Sequence, residues 1–579
     1  MSFDDFDVFS RMFGHFCPFG NVKAPKEFEE HKTGASKIRF CLKELQDTND
    51  LPSGSTIFQA KNDAASINAR NLGNRYFKQR DYVQALECYN QSICLAPMNS
   101  ENLGIGYANR AAVFLNSGFY KLCLQNIEFA EANNYPEKFK KKLELRKKEC
   151  LKAIEEGIDS QEKFDKEYAP LRMTYPAKKS NPCIAEGIEL GKSAAFGRHV
   201  YTKRELKPGD VILIEKPYAK HLVKDAVHTR CANCLDQCYM NVFPCSRCTK
   251  AMFCSQKCHE IAHKRWHKYE CPIIDGIFDI GTNSNFNQIE TALRAALQSL
   301  TLFDDPHDLG KLMKEIANKN EVFEVNYAKL TEKNHFRAIY SLSTNETKAT
   351  SAELYQYARE CARAWHLLSK HTFLPFLLKT KETQDIFLDL LFHFFQSTIV
   401  NAHSLGLASG NLAQYGSAIF ALASLFNHSC VPNVGKIFDK SVIRIVAKRV
   451  IKAGEQLFDC YDKDVHHGHA NLQKRQRKLK SQYRFECKCK ACRNDFPLLE
   501  QMPTPKNQSF AEKVINDLHQ MQNYDKEFAK KKLKEYKKYL IQYDKKVSSF
   551  ELYSSEDVFM QALWTVMFGR PLHLQLKHV

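Results

Sequence analysis

The sequence has no run of apolar residues long enough to cross a membrane. Across its 579 residues, no stretch approaches the roughly 20 consecutive apolar residues that a transmembrane helix requires. The first residues, MSFDDFDVFSRMF, are acidic and interrupted by charge, so they do not fit a secretory signal. We expect an intracellular protein of the nucleus and cytoplasm, with no membrane partner.

A recognised nucleic-acid-binding motif is also lacking, although the formal net charge is +18. Much of the excess lies in KKKLELRKK (140–148) and KKKLKEYKKYL (530–540), which have the pattern of solvated helix faces. The charge fits an acidic partner such as chromatin, and it fits at least as well a role in solubility. A nucleic-acid-binding function therefore depends on net charge alone, and such binding would fall steeply with salt.

Cysteine, in contrast, is abundant, with 21 residues in the chain. In a reducing compartment, dense cysteine indicates metal binding or chemistry rather than disulfides. The content of 44% hydrophobic and 26% charged residues is ordinary for a soluble globular protein. Because the chain is too long for a single core, we expect several domains.

The N-terminal region predicts a leader followed by helical repeats. Residues 1–60 show little periodicity, and we expect a loose leader with one or two short helices. Residues 66–97 and 107–136 place small, aromatic and proline residues where a tetratricopeptide repeat has its packing positions. A charged helix over 138–168 completes the minimal stack, which offers either a peptide-binding groove or packing support. The packing positions are Leu72, Gly73, Tyr76, Ala85, Tyr89, Pro97, Ala111, Phe114, Ile127, Ala130 and Pro136.

Beyond residue 180 the pattern changes from helical to mixed. Short β-rich runs such as HVYT and DVILIE, separated by Gly and Pro turns, follow residue 181. Residues 272–400 have helical periodicity, strand-like runs return over 436–460, and 508–568 is again helical and rich in lysine.

Residues 231–271 contain paired cysteines at the spacing of a zinc-binding segment. Each C-x-x-C turn lets two thiolates bind one zinc ion, and four ligand pairs make two closed, structural sites. Zinc binding must supply folding energy to a segment with so little core. Cys238, His259 and His263 are left over, although His263 competes with His267 as a ligand. The predicted ligand pairs are Cys231 and Cys234, Cys245 and Cys248, Cys254 and Cys258, and His267 and Cys271.

This segment resembles a MYND zinc finger. In that family the first and third ligand pairs share one zinc ion, and the second and fourth pairs share the other. MYND fingers bind short proline-containing peptides, so the resemblance implies a peptide of this kind as a partner.

A second cysteine cluster, FECKCKAC, supplies Cys487, Cys489 and Cys492. Three thiolates leave a tetrahedral zinc ion one ligand short. The missing ligand can come from a distant part of the sequence, and Cys430 is a candidate.

The run LFNHSCVPNV (425–434) is dense in reactive side chains beside an apolar stretch. On a strand, His428 and Cys430 share a face, as a nucleophile and its base would. No oxyanion-hole or nucleophile-elbow pattern surrounds them, which argues against a protease-like site. A satisfied core histidine is the alternative without chemistry.

With its neighbours, this run resembles the core of a SET lysine methyltransferase. LFNHSCVPN is followed by GEQLFDCYD (454–462) and then by the C-x-C-x-x-C cluster. A SET core split by a MYND finger and a helical insert resembles the SET and MYND family, and the repeats resemble its tetratricopeptide-repeat-bearing branch. The resemblance covers about residues 65–500. It implies a multidomain α+β fold in which a β-rich SET core is flanked by N-terminal and C-terminal helices.

The family resemblance also implies an activity and a division into domains. The activity is S-adenosylmethionine-dependent N-methylation of a lysine in a histone or non-histone protein, by a monomer that holds three zinc ions. Chromatin or corepressor proteins are further expected partners. The expected divisions are a leader (1–60), tetratricopeptide-like repeats (61–136), a capping helix and linker (137–180), the SET N-terminal part (181–230), the MYND finger (231–271), a helical SET insert (272–400), the SET core (401–480), a post-SET zinc tail (481–495) and a helical C-terminal region (496–579).

The family's functional residues map onto positions of this sequence. Asn427 and His428 match the cofactor-binding strand, and Tyr461 matches the SET tyrosine where the methyl group passes to the lysine nitrogen. These three are the expected catalytic residues and also contact the cofactor. The resemblance makes Cys430 the fourth ligand of the third zinc ion. The other expected cofactor contacts are Phe196, Gly197, Arg198, Asn345, Asn401, Ser424, Phe426, Tyr483 and Phe485.

Two positions depart from the family pattern. His199 stands where the N-terminal turn often has a second glycine, and a side chain there would narrow the approach of the cofactor. Asp462 follows Tyr461, and an acid there would assist or disturb binding of the lysine amine. The alternative function is therefore a weak or inactive SET and MYND scaffold that recruits protein partners, for example in transcriptional regulation.

Overall fold

The computed structural model describes residues 23–53, 57–283, 288–317, 323–406, 414–502, 508–542 and 549–576. It contains α-helices and small β-sheets, which confirms the mixed α+β class. The run MSFDDFDVFSRMF, with the first part of the expected leader, lies outside the described residues. Within the described ranges, no helix combines the length and apolar character needed to cross a membrane.

The first long helix packs firmly, in contrast to the loose leader expected from the sequence. It spans Gly34–Asp47, and Ile38, Cys41 and Leu45 on its inner face are fully buried. These residues recur at helical spacing and therefore form one apolar stripe. The stripe faces two long helices of the 272–400 region and joins the main apolar core.

Helices between residues 63 and 167 form an N-terminal stack. Gly73 permits close approach of two of them, because a Cβ at that position would lie 2.7 Å from the ring of Tyr89. Ala85, Ala111 and Phe114, three of the expected packing residues, are fully buried. The helices are Asp63–Lys78, Tyr82–Leu95, Glu101–Asn116, Tyr120–Glu131, Lys140–Glu155 and Ser160–Glu167.

A five-stranded sheet joins segments that are far apart in sequence. Val211–Glu215 pairs antiparallel with Val442–Ala447, so the chain returns to the same sheet after the cysteine-rich segment and the helices. Ile188–Ser193 and Gly197–Thr202 form a separate hairpin. The five-stranded sheet has the order Ala177–Lys178, Asn181–Ala185, Val211–Glu215, Val442–Ala447 and Val434–Asp439, and a three-stranded sheet has the order Ala219–Leu222, Gly416–Ile419 and Ala402–Leu405.

The cysteine-rich segment and the helices that follow share one apolar core with strands of the five-stranded sheet. The segment contains a hairpin of Phe243–Pro244 with Met252–Phe253, followed by the helix Gln256–Ala262 and a π-helical turn over His263–His267. The later helices are Lys268–Glu270, Ile274–Asn283, Ile289–Leu300, Pro306–Ala317, Glu332–Tyr340, Ser351–His371, Leu374–Leu377 and Lys381–Asn401.

The C-terminal helices cover the five-stranded sheet. Their apolar residues form a core with Val211, Ile437 and Val446, which come from three strands of that sheet. A short region between the sheet and these helices contains Leu472–Lys478 and Lys490–Arg493. The C-terminal helices are Gln508–Met521, Lys526–Gln542, Phe550–Phe568 and Leu572–Gln575.

The N-terminal stack holds a left-handed turn of the cysteine-rich segment. Cys238, Tyr239 and Met240 have φ angles of 47°, 54° and 59°. The left-handed conformation costs about 1 kcal/mol or more for each residue with a side chain. The ring of Tyr239 lies 5.2 Å from that of Phe119, and its hydroxyl donates to Asp165 at 2.7 Å.

Arg110 lies at the centre of this contact and is fully buried. Its guanidinium donates to the side-chain oxygens of Asn90 and Asn126, both at 2.7 Å, and to the carbonyl of Val242 at 2.5 Å. Asn90 in turn donates to the carbonyl of Met240 at 2.8 Å. Backbone carbonyls of the turn are thus bonded by side chains of the stack.

We expect Arg110→Ala to destabilise the joint between the stack and the turn by about 2–4 kcal/mol, because buried acceptors lose their charged donor. Amide hydrogen exchange at residues 239–242 should become faster. Arg146→Ala is the control, since the half-buried Arg146 donates to Ala108 within the stack. Equal exchange in both variants would contradict this assignment.

Candidate functional site

The strand Asn427–His428 pairs in parallel with Phe458–Asp459. The amide of Ser429 donates to the carbonyl of Asp459 at 2.8 Å, which extends the pairing by one residue. The side chain of Asn433 then crosses between the two segments, accepting from the amide of Phe458 at 2.7 Å. This pairing brings the residues after Asp459, including Tyr461, beside His428.

His428 bonds to the residues on either side of it in space. Its Nδ1 accepts from the backbone amide of Tyr461 at 3.2 Å, and its Nε2 lies 3.3 Å from the Sγ of Cys430. Burial lowers the pKa of His428 to about 4. The imidazole is therefore neutral at physiological pH, which suits it to hold Tyr461 by accepting a hydrogen bond.

Tyr461 and three neighbouring rings form an aromatic cluster. The ring of Tyr461 lies 4.9 Å from Tyr483, 5.2 Å from His428 and 6.3 Å from Phe485, between ring centroids. Burial raises the pKa of the Tyr461 and Tyr483 phenols above their usual value. Both hydroxyls therefore stay protonated at neutral pH and are able to donate hydrogen bonds.

Asn427 anchors the turn between the two strands of the N-terminal hairpin. Its side-chain nitrogen, Nδ2, donates to the carbonyls of Phe196 and Arg198, both at 3.1 Å. Gly197, between them, has φ +63° and no atom within 4 Å of the place where a Cβ would stand. Phe196 is 53% exposed. The backbone of this turn is consequently open to a ligand beside Asn427.

A short loop of the helical region, residues 341–345, joins several of the expected cofactor residues. Arg198 donates to the carbonyl of Ser341 at 2.7 Å, and Asn401 donates to that of Ser343 at 2.8 Å. Asn345 donates to the carbonyl of Tyr483 at 3.2 Å. Ser424 lies next to this set, because its hydroxyl donates to the carbonyl of Asn401 at 3.1 Å.

Phe426 occupies a different position from the other expected cofactor residues. It is 1% exposed and belongs to the main apolar core. The structure therefore gives its side chain a packing position beneath Asn427.

The two departures from the family pattern are both accommodated within the chain. The His199 ring lies over Gly191 on the paired strand, 2.8 Å from the place of a Cβ there, and its Nδ1 contacts the Gly197 carbonyl. Asp462 forms an ion pair with Lys478 at 2.7 Å and caps the next turn by accepting from Asp464. The charge of Asp462 is thus balanced by a lysine of the chain itself.

The structure brings the expected metal ligands into three groups. Within each group all ligand atoms lie within 4.8 Å of one another. Sulfur–sulfur distances include 3.6 Å between Cys234 and Cys254 and 3.5 Å between Cys430 and Cys492. Four ligands around zinc with bonds of about 2.3 Å would be roughly 3.8 Å apart, so the geometry fits this metal. The groups are Cys231, Cys234, Cys254 and Cys258; Cys245, Cys248, His267 and Cys271; and Cys430, Cys487, Cys489 and Cys492.

The residues left over in the cysteine-rich segment lie outside these groups. The group made of three cysteines and one histidine contains His267 rather than His263. The Nε2 of His267 lies 3.2 Å from the Sγ of Cys245. The His259 ring packs edge-on against Phe253 at 4.9 Å. Cys238 is a neighbour of Cys234 but is not a member of the four-thiol group.

Two residues that shape the site were not predicted from the sequence. Asn433 stands in the run LFNHSCVPNV, where its spacing to Asn427 was the available signal. Arg484 donates to the carbonyl of Asn345 at 3.0 Å and to the hydroxyl of Tyr357 at 2.9 Å. Nothing in the local sequence distinguishes Arg484 from neighbouring basic residues, because its partners come from the distant helical region.

Comparison with known proteins gives a SET-domain match over residues 197–462. Protein-lysine N-methyltransferase SMYD4 of Danio rerio is 23% identical over 523 residues, covering 78% of this chain and 68% of the relative. The Homo sapiens protein of that name is 24% identical over 553 residues, with 75% and 68% covered. Histone-lysine N-methyltransferase SMYD3 of Mus musculus is 24% identical over 307 residues, with 53% and 61% covered.

The fold and the SET match define a SET-domain protein whose chain spans about two thirds of the length of these SMYD4 relatives. The cysteine groups lie inside and just after the matched region. The chain therefore contains a SET domain and is similar, over most of its length, to proteins named as protein-lysine N-methyltransferases.

Loss of one ligand of the third group tests its role directly. We expect Cys430→Ser to lower the zinc content by about one ion per chain and to speed amide exchange over residues 487–492, because a tetrahedral site needs four ligands. Cys460→Ser is the matched control, since Cys460 is nearby but outside the group. Metal analysis by mass spectrometry checks both, and an unchanged zinc content in Cys430→Ser would reject the assignment.

Proposed function

We propose that the chain is an S-adenosylmethionine-dependent protein-lysine N-methyltransferase with three structural zinc ions. The observation that supports this most directly is the convergence of Asn427, His428 and Tyr461 with the rings of Tyr483 and Phe485. These residues lie within or just after the SET match. The relatives named protein-lysine N-methyltransferase are similar over most of the chain, which agrees with the proposal.

The residues present fit the cofactor. Aromatic faces such as those of Tyr461 and Tyr483 attract a cation, and S-adenosylmethionine carries a sulfonium. The open backbone at Gly197, in a turn held by the side chain of Asn427, suits the polar end of the same molecule. When bound, the cofactor supplies a methyl group on a positively charged sulfur.

The chain's own residues have to align the substrate lysine and keep its amine neutral. A free lysine amine has a pKa of about 10.4, and a desolvated channel lowers this value. The partly buried rings of Tyr461, Tyr483 and Phe485 would line such a channel. The protonated Tyr461 hydroxyl is the group that we assign to orienting the amine and the developing charge. In-line transfer requires alignment above all, and no metal takes part in it.

The zinc ions are assigned a structural role. Each group offers four protein ligands, so a tetrahedral ion there would have no position left for a reacting water. The third group connects Cys430, two residues after His428, to the tail that carries Tyr483 and Phe485. Zinc there would hold the two sides of the aromatic cluster together.

We assign the cysteine-rich segment to a MYND finger and the N-terminal stack to tetratricopeptide-like repeats that support it. Asn90 and Arg110 of the stack already bond the carbonyls of Met240 and Val242, which immediately precede the finger's hairpin. A proline-containing peptide would therefore have to bind another face of the finger. These contacts favour packing support over a free groove for the repeats, and the substrate remains a lysine-bearing protein.

Calorimetry separates this function from that of an inactive scaffold. The zinc-loaded wild-type chain should bind S-adenosylmethionine, and His428→Ala should lose that binding because the support of Tyr461 is removed. Absence of binding in the folded wild-type chain would instead favour the scaffold.

We expect Tyr461→Phe to bind S-adenosylmethionine within about twofold of wild type but to transfer the methyl group roughly 100-fold more slowly. The ring is kept, while the hydroxyl that orients the amine is lost. Tyr415→Phe, a buried tyrosine outside the aromatic cluster, is the control. Methyl transfer to a lysine peptide or protein pool should separate the two, and equal rates would remove Tyr461 from the mechanism.

The pH profile follows from two groups. Methylation should rise from about pH 7 to about pH 10 as the substrate amine loses its proton. Burial raises the pKa of Tyr461 above the usual value for a phenol, so its ionisation should not reverse this rise near pH 10. Initial rates across this range check the prediction, and a downturn below about pH 9 in a still-folded enzyme would contradict it.

A further inference from the structure

A buried carboxylate holds the segment that leads into the strand Asn427–His428. Glu215, at the end of Val211–Glu215, is 4% exposed. Its Oε1 accepts from the amides of Ala421 at 2.8 Å and Leu422 at 3.0 Å. Its Oε2 accepts from Leu422 at 3.2 Å and from Ala423 at 2.8 Å.

Three successive amides therefore point at one carboxylate, in the manner of a backbone anion site. The segment they belong to is buried, since residues 420–423 are each at most 1% exposed. Glu215 satisfies these amides, and unpaired buried amides are costly. The carboxylate thus selects one backbone path through 421–423.

This path ends at the expected cofactor residues. The short helix Ala423–Leu425 begins at the last amide bonded by Glu215. Ser424, in that helix, bonds to Asn401, and Asn427 follows two residues after the helix. A shift of residues 421–423 would therefore move Asn427 relative to the turn at residues 196–198.

The charge of Glu215 carries a cost in stability because the side chain is buried. Burial raises the pKa of Glu215 to about 7, although the three amides oppose the rise. Because the folded-state pKa lies above the usual value, ionised Glu215 makes the fold less stable as pH rises toward about 7. The bonds from the amides of residues 421–423 offset part of this cost.

We propose that Glu215 is a positioning residue that sets the place of Asn427 and His428 for cofactor binding. The inference rests on the proposed function of the same site. Glu215 acts through the backbone of residues 421–423 and is separate from the groups that meet the cofactor or the lysine.

The test compares Glu215→Gln with a matched control, Glu290→Gln. Glu290 is also a buried glutamate whose pKa is raised, to about 8, but it lies in the helix Ile289–Leu300. Amide exchange over residues 421–428 is measured without cofactor, and S-adenosylmethionine affinity is measured by calorimetry. Zinc content and melting temperature report on folding.

We expect Glu215→Gln to keep its zinc, to exchange at least tenfold faster over 421–428, and to bind S-adenosylmethionine roughly tenfold more weakly. The amide group of glutamine presents a donor where a backbone donor already stands. Glu215→Asp keeps the charge with a shorter reach and should show smaller changes of the same kind. Glu290→Gln should match wild type in both measurements.

A pH series adds a readout that a purely structural role would not change. The difference in affinity between wild type and Glu215→Gln should shrink between about pH 8 and about pH 6 as Glu215 is protonated. The ionisable groups around Glu215 are Cys183, Lys216, Tyr327 and, across a cavity of about 440 Å³, His335 with the Arg265–Glu332 ion pair. Wild type and Glu215→Gln both contain these groups, so the effect of their titration on affinity cancels when the two proteins are compared.

Each outcome has a separate meaning. Unchanged exchange over 421–428 in Glu215→Gln, or equal effects of Glu215→Gln and Glu290→Gln, would overturn the role of Glu215. Loss of zinc and helical content in both Glu215 variants would assign the residue to the fold and also overturn it. Absence of cofactor binding in wild type would reject the proposed function, whereas the exchange data would still decide whether Glu215 orders the segment.

Discussion

The third cysteine group is the constraint on which the aromatic cluster depends. Cys430 lies two residues after His428, and Cys487 lies two residues after Phe485. The four thiols of this group are gathered within 4.8 Å, although they come from segments more than fifty residues apart. The apolar cluster around them is small, and hydrogen bonds of Asn345 and Arg484 also fix the tail. The gathering of these four thiols is therefore tied to the positions of Tyr483 and Phe485, which come just before Cys487 in the chain.

The helical region contributes to the site through one loop rather than through a helix face. Residues 341–345 receive bonds from Arg198 of the N-terminal hairpin, from Asn401 and from Arg484 of the tail. Three parts of the chain thus meet at a few backbone carbonyls. These three bonds end on backbone carbonyls and so do not depend on the side chains of residues 341–345, whereas the side chain of Asn345 makes its own bond to Tyr483.

The parts of the site that the sequence could predict are those with a local signature. The C-x-x-C and C-x-C-x-x-C spacings identified the cysteines that the structure groups, and the Asn–His run identified the strand beside Tyr461. The parts that could not be predicted depend on distant partners. Glu215 has the appearance of an ordinary strand end until its partners at 421–423 are known. A helix was expected within residues 1–60, but the firm packing of Gly34–Asp47 was not, because its partners are helices more than 300 residues away.

The left-handed turn at residues 238–240 has a consequence for how the protein is made. Its φ angles are unfavourable for an isolated chain, and the side chains that hold it belong to helices between residues 82 and 131. Those helices are synthesised first and have local contacts, so they are able to fold while the cysteine-rich segment is still emerging from the ribosome. The N-terminal stack is thus able to serve as a template for the left-handed turn of that segment.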